Sequence, residues 1–243
     1  MTAPPVLELR GVHAGYDDIE VLHGVDLAVP PASVVAVLGP NGAGKTTMLR
    51  AVAGLHPITR GQIRIAGRDV TGADPTTLAR LGVCSIPEGR GIFPNLTVRE
   101  NLWMATFRRV PRKAVEDRAF AQFPNLARRQ DTTAGRLSGG EQQMLALARA
   151  IATDPPLLIL DELSMGLAPV IVDDLYELIA GLKRSGTTIL VVEQFAHVVL
   201  GIADIAAVLV QGRVAMTGPP GDVQHELATA YLGARSPAKD HPT

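Results

Sequence analysis

One short stretch limits what this chain can fold into more than any other: Gly39-Pro40-Asn41-Gly42-Ala43-Gly44-Lys45-Thr46. Before it, Val34–Leu38 is an unbroken apolar run, which reads as a strand buried on both faces of a parallel sheet. After it, Lys45–Gly54 reads as a helix closed by glycine. The pattern G-x-x-x-x-G-K-[ST] between a strand and a helix describes a phosphate-binding loop. Its glycines let backbone N–H groups curl around phosphate oxygens with no side chain in the way. The following helix points the positive end of its dipole at the same anion. Lys45 is placed to reach the β- and γ-phosphates, Thr46 to ligate magnesium through its hydroxyl, and Thr47 continues the nucleotide-binding segment.

The rest of the chain alternates in the same style. Val6–Arg10, Val21–Val29, Gln62–Ile65, Leu81–Ile86, Leu157–Leu160, Thr187–Val192 and Ile205–Val210 read as strands, and Asp173–Lys183 as a helix. Strands alternating with helices predict an α/β fold with a mostly parallel sheet. Thr97–Arg149 differs: it has no clear strand, and Pro111, Pro124 and Gly135 separate its helical stretches. It reads as a helical subdomain, about 97–153, inserted into a single domain spanning 1–235. Residues 236–243 read as a disordered polar tail.

Composition removes several function classes. A chain of 243 residues that is 47% apolar can bury a core without disulfide or metal staples. A formal charge of −1 argues against a general nucleic-acid binder. One cysteine, Cys84, allows neither an intrachain disulfide nor a cysteine-rich zinc site. Met1–Pro5 shows no leader pattern. The longest apolar stretch, Val198–Val210, falls short of a span of about 18 residues and contains Asp204. The expectation is a cytosolic protein that does not itself cross a bilayer.

Two further motifs carry chemistry. Leu157-Leu-Ile-Leu-Asp161-Glu162 is an apolar strand ending in two carboxylates. Ligands of open α/β sheets bind beyond the carboxyl ends of strands. Asp161 is therefore the candidate magnesium ligand, and Glu162 the base that takes a proton from an attacking water. A strand end with two solvated acids is the plainer alternative. Leu137-Ser-Gly-Gly-Glu-Gln-Gln143 precedes an amphipathic helix. Ser138 with Glu141 makes a capping box that would serve any helix. The sharper reading gives Ser138, Gly139 and Gly140 a second phosphate-binding helix end.

Together these residues resemble the ATP-binding-cassette (ABC) family: 39–46 its Walker A motif, Asp161-Glu162 the end of Walker B, and 137–142 its signature. The resemblance implies a P-loop NTPase fold with a mostly parallel core, an N-terminal antiparallel β subdomain and the inserted helices. It implies ATP as substrate, Mg2+, and head-to-tail pairing, in which Ser138, Gly139, Gly140, Glu141 and Gln142 touch nucleotide held by a partner. Tyr16 resembles the family aromatic that stacks on adenine, a half-buried strand tyrosine being the alternative. Met165–Ala168 resembles the loop that touches the partner cassette.

Two positions depart from the family pattern. Glu88 stands where glutamine usually meets magnesium and water, and Gln194 where a histidine usually meets the γ-phosphate. A carboxylate still offers magnesium an oxygen. Glutamine can hydrogen-bond a phosphate but cannot carry a proton's charge. His197 is out of register for that role. Residues 86–102, Asp161–Pro169, Val192–Gln194 and Ala230–Gly233 resemble the LivF branch, the ATPase subunits of branched-chain amino acid importers, where this Glu and Gln are usual.

That branch implies a peripheral position on the cytoplasmic face of the membrane. It also implies a LivG-like second ATPase (a homodimer stays open), two permease subunits, an external solute-binding protein and no nucleic acid. Among Ile92, Phe93, Leu96 and Trp103, some should form an apolar groove for a permease helix, while Leu102 and Trp103 fit a core equally well. Importers of urea, amides or other small organic solutes are the nearest alternative. A soluble cassette serving nucleic acid or ribosomes would be expected to carry paired cassettes, coiled coils or zinc cysteines. A binding module without turnover has no use for Glu162.

Overall fold

In the computed structural model, residues 3–89, 91–105, 110–194 and 196–225 are described. The chain begins with β1 (Leu7–Tyr16) and β2 (Ile19–Val29), paired antiparallel. Leu7, Leu9, Val12 and Ala14 of β1 and Leu22, Val25, Leu27 and Val29 of β2 turn inward, and all are buried. β4 (Arg60–Ile65) flanks β1 on its other side, and the two-residue β5 (Arg68–Asp69) ends the sheet in the order β2-β1-β4-β5. Sequence alternation alone stops β1 at Arg10. The strand in fact runs on to Tyr16, because a bulge between Leu9 and Val12 shifts the register and restores the inward face.

The second sheet has the order β10-β9-β3-β8-β7-β6. β6 (Val83–Ile86), β7 (Leu157–Asp161), β8 (Thr188–Glu193), β3 (Val34–Leu38) and β9 (Ile205–Val210) run parallel, and β10 (Arg213–Gly218) closes one edge antiparallel. β3, β7 and β8 are buried at every residue, which is why their sequences read as unbroken apolar runs. One face of this sheet, with Val35, Val37, Ile159, Leu190 and Val192, packs against the antiparallel sheet and α1 (Lys45–Val52). The other face carries Val34, Ala36, Leu158, Leu160, Ile189 and Val191. It packs beneath the helical region and α7 (Pro169–Arg184). Each such fully buried aliphatic contributes about 1.5–3 kcal/mol.

Two elements do not follow from hydrophobic period. α2 (Pro75–Leu81) is set by its ends: Asp74 caps it through the Thr77 N–H at 3.0 Å, and Gly82 stops it with φ 97°. Leu81 therefore belongs to this helix, and the strand expected from Leu81 begins at Val83. β10 is folded back by Gln211-Gly212, both with positive φ (45° and 72°), as two-residue hairpin turns require.

The helical region holds α3 (Val98–Trp103), α4 (Arg112–Gln122), α5 (Pro124–Ala127) and α6 (Gly139–Ile151), with a short 3-10 turn at Ala134–Arg136. Fully buried Asn101 ties its entry down. Its amide donates to the carbonyls of Phe93, Leu96 and Thr97, and its oxygen accepts the Phe93 N–H. α8 (Ala196–Leu200) follows β8. Among the described residues no helix is long and apolar enough to cross a membrane. The tail 236–243 and Ala230–Gly233 lie outside the described residues.

Candidate nucleotide site

The site forms where β3, β7 and β8 end side by side. Leu38 pairs with Glu193 and Asp161 with Val192, so the phosphate loop, the two carboxylates and Gln194 emerge from one sheet edge. Two glycines shape the loop. A β-carbon on Gly39 would come within 2.2 Å of the Leu209 carbonyl oxygen, and Gly44, the residue that starts α1, sits at φ 102°. The turn between β9 and β10 braces the loop from outside: the Gly212 N–H donates to Ala43 O (2.9 Å), and Gly212 O accepts from His23 N (2.8 Å). Pro40, Asn41 and Gly42 face solvent, while Ala43, Gly44 and Lys45 are buried.

Lys45 is folded back onto its own loop. Its ammonium donates to Gly39 O (2.9 Å) and Pro40 O (3.2 Å) and lies 3.6 Å from Glu162 Oε1. Glu162 has a left-handed backbone, φ 46°, and its N–H donates to Val192 O at 3.0 Å. That conformation costs a non-glycine residue about 1 kcal/mol and is held here by the loop around it.

Asp161 is 6% exposed, and its Oδ1 has no hydrogen-bond partner. Burial first, then the charges of Glu162 and Glu88, push its carboxyl up to about 6 from an ordinary 3.8. A buried carboxylate oxygen facing two further acids fits a divalent cation. Among the described residues no three His, Cys, Asp or Glu side chains form a ready-made cage. This suits magnesium, which is held by one or two carboxylates together with substrate phosphates. Thr46, half-buried in the first turn of α1, and exposed Glu88, beyond β6, are the other protein groups offered to it.

The raised Asp161 carboxyl carries a stability consequence. A folded-state value above the unfolded one means the folded chain binds more protons, so ionisation weakens folding as pH rises from about 4 through about 6. Two units correspond to about 2–3 kcal/mol. Asp161→Asn should therefore melt roughly 4–8 °C above the wild type at pH 7.5 without nucleotide, the gap closing towards pH 4. Matching melting curves at pH 7.5 would remove this account of Asp161.

Tyr16 ends β1 and is 40% exposed. His56 covers one face, with ring centroids 4.3 Å apart, and is anchored by Nε2 to Gly15 O at 2.7 Å. Thr47, then Arg50, hydrogen-bond the phenol and hold its pKa below the ordinary value. Sequence reasoning missed His56 and Arg50 as parts of this platform; no local motif marks them.

Ser138 caps α6. Its hydroxyl accepts the Glu141 N–H (3.3 Å) while Glu141 Oε2 accepts the Ser138 N–H (2.8 Å). Gln142 spends its amide on the carbonyls of Ala134 and Leu137. Glu141 and Gln142 thus build the turn, in which Ser138 is exposed and Gly139 and Gly140 are half-buried. None of the bonds described for 138–142 reaches the phosphate loop of the same chain.

Of Ile92, Phe93, Leu96 and Trp103, named for an apolar groove, Phe93 is the one that lines the cleft found in this region. Phe93 and Met104, 42% and 51% exposed, line a cleft of about 190 Å³ with Ile86, Pro87 and Arg149. Leu102 is core, and Trp103 is tied to α4 instead: Nε1 donates to Glu116, and Arg112 lies 4.7 Å over the ring. Arg90 lies outside the described residues.

A glycine loop between a buried parallel strand and a helix, with an acidic pair at the neighbouring strand end, defines a P-loop nucleoside triphosphatase. Residues 22–164 match the family model described as ABC transporter. The high-affinity branched-chain amino acid transport ATP-binding protein BraG of Pseudomonas aeruginosa is 40% identical, covering 94% of this chain and 100% of its own. The probable branched-chain amino acid transport ATP-binding protein LivF of Archaeoglobus fulgidus is 39% identical, covering 88% and 93%. A solved ATP binding subunit of an ABC transporter superimposes with a TM-score of 0.83 at 28% identity, covering 95% of this chain and 100% of its own. The chain is an ATPase of the ABC transporter family.

Proposed function

We propose that this chain is one of two ATPase subunits driving an importer for branched-chain amino acids. The observation that supports the reading is that α1 and α6 each start at a glycine-rich turn, at Gly44 and at Ser138–Gly140, and that none of the bonds described for 138–142 reaches the 39–46 loop. A second cassette, LivG-like or a copy of this chain, completes the site by laying its own signature turn on ATP held here. The identity to BraG over almost the full length supports branched-chain amino acids as the solute.

The division of labour in this reading is as follows. Backbone N–H groups of residues 41–47 and the Lys45 ammonium bind the phosphates, and Tyr16 stacks on adenine. Thr46 and Asp161, with Glu88 behind, would hold Mg2+, which neutralises charge on the β- and γ-phosphates. Glu162 takes the proton of the attacking water, while Gln194, exposed just past β8, hydrogen-bonds the γ-phosphate. The subunit sits on the cytoplasmic face of the membrane, bound through two permeases, one of which inserts a helix at the cleft holding Phe93 and Met104; an external binding protein delivers the solute.

Uptake of radiolabelled leucine by cells lacking this gene tests the reading. High-affinity uptake should be lost, and restored by the wild-type chain but not by Glu162→Gln. Normal leucine uptake beside failed urea or amide uptake would reassign the solute.

A further inference from the structure

Glu193 is 1% exposed at the end of β8, yet it is neither ligand nor base in the mechanism above. Three donors converge on its carboxylate. The Ser164 N–H (3.1 Å) and the Tyr176 hydroxyl donate to Oε1, and the Ser164 hydroxyl (2.8 Å) donates to Oε2. Ser164 and Tyr176 are themselves 8% and 4% exposed. Burial, then the Glu193 charge, drives the Tyr176 phenol far above its ordinary range, so it stays a donor. A carboxylate is an acceptor with no proton of its own, which suits a site where every neighbour donates.

These bonds join three elements. Ser164 lies two residues beyond Glu162, Tyr176 lies on α7, and Glu193 immediately precedes Gln194 and pairs with Leu38, the last residue before the phosphate loop. Among the described residues, the loop's other backbone bonds are Glu162 N to Val192 O at 3.0 Å, which holds its first residue to β8, and Met165 N to Glu162 O at 3.3 Å and Leu167 N to Ser164 O at 3.2 Å, both internal to it; Leu163 is buried in the core. Glu162, with φ 46°, needs such an anchor to keep its side chain beside Lys45.

We propose that Glu193 is a positioning residue for hydrolysis: by binding Ser164 and Tyr176 it fixes the 162–168 loop to the end of β8, and so sets the spacing between Glu162 and Gln194. The device works through hydrogen bonds and not through charge. In Glu193→Gln, Oε1 still accepts from the Ser164 N–H and Tyr176, and the new amide can donate to a reversed Ser164 hydroxyl, so all three links survive. In Glu193→Leu none does. The proposal rests on ATP hydrolysis by the chain, which the wild-type arm of the test measures. The identity of the solute does not enter, so failure of the amino-acid assignment leaves it standing.

The test is steady-state MgATP hydrolysis, with competent sites counted by calorimetric ATP titration. Per competent site, kcat of Glu193→Leu should fall at least tenfold with KM within twofold, while Glu193→Gln stays within threefold of wild type. A purely structural role would lower the number of sites and leave kcat per site intact, and that result overturns the proposal. So does a Glu193→Gln as impaired as the leucine variant. Tyr176→Phe and Ser164→Ala each delete one donor without emptying the core, and decide the matter should Glu193→Leu not fold. Each should lower kcat per site two- to fivefold, and unchanged values in both refute the positioning role.

Discussion

Replacing Glu162 by glutamine should slow phosphate release at least a hundredfold while leaving ATP affinity within about threefold. The side chain is 14% exposed, so it is wet enough to meet a water and enclosed enough to aim at one. Its only charged neighbour at bonding range among the described residues is Lys45, at 3.6 Å. On the proposed reading, bound ATP would draw Lys45 to phosphate and free Glu162 to accept a proton. Glutamine preserves shape and loses the basic oxygen pair. Single-turnover phosphate release by wild type and variant measures the difference; equal rates would take proton abstraction away from Glu162.

Lys45→Ala should weaken ATP binding roughly ten- to a hundredfold, the magnitude of one or two charge-assisted hydrogen bonds. Lys45 is 5% exposed, so its positive charge acts on phosphate with little screening. The alanine variant also loses the cation that draws Asp161 down, so the carboxyl should rise further above about 6 and magnesium should bind more weakly near neutral pH. Isothermal titration with ATP, with and without Mg2+, separates the two effects. Wild-type affinity in the alanine variant would mean that 39–46 is not the phosphate seat.

The candidate nucleotide residues are legible in sequence because phosphate chemistry fixes the spacing of such a loop. Val34–Leu38 and Ile205–Val210 were read to the residue, since strands buried on both faces leave unbroken apolar runs. α7 was read late: Pro169 begins it, a preference of the first helical turn that hydrophobic period does not report. β10 alternates half-buried and exposed residues on a sheet edge, so its apolar signal is weak, and only Gln211-Gly212 announces it.

What stayed hidden is held by distant partners. Glu193 looked like one acid beside Gln194, because nothing in Val192-Glu-Gln points to Ser164 or Tyr176. His56 lies 40 positions from Tyr16, and the rings meet because the segment between α1 and β4 runs beside β1. Trp103 shows the converse. Its place in a promising apolar stretch suggested a partner surface, yet Arg112 and Glu116, one turn apart on α4, claim both its face and its N–H.

The brace from Gly212 to Ala43 ties the phosphate loop to a segment far downstream in sequence. β3 lies between β8 and β9, and Val34 is bonded through its N–H to Asp204, 170 positions downstream. A nascent chain that has left the ribosome only as far as the inserted helices carries all of 39–46 and lacks the strands that flank it. The supports of the 39–46 loop are therefore complete only in a chain that includes the β9–β10 hairpin.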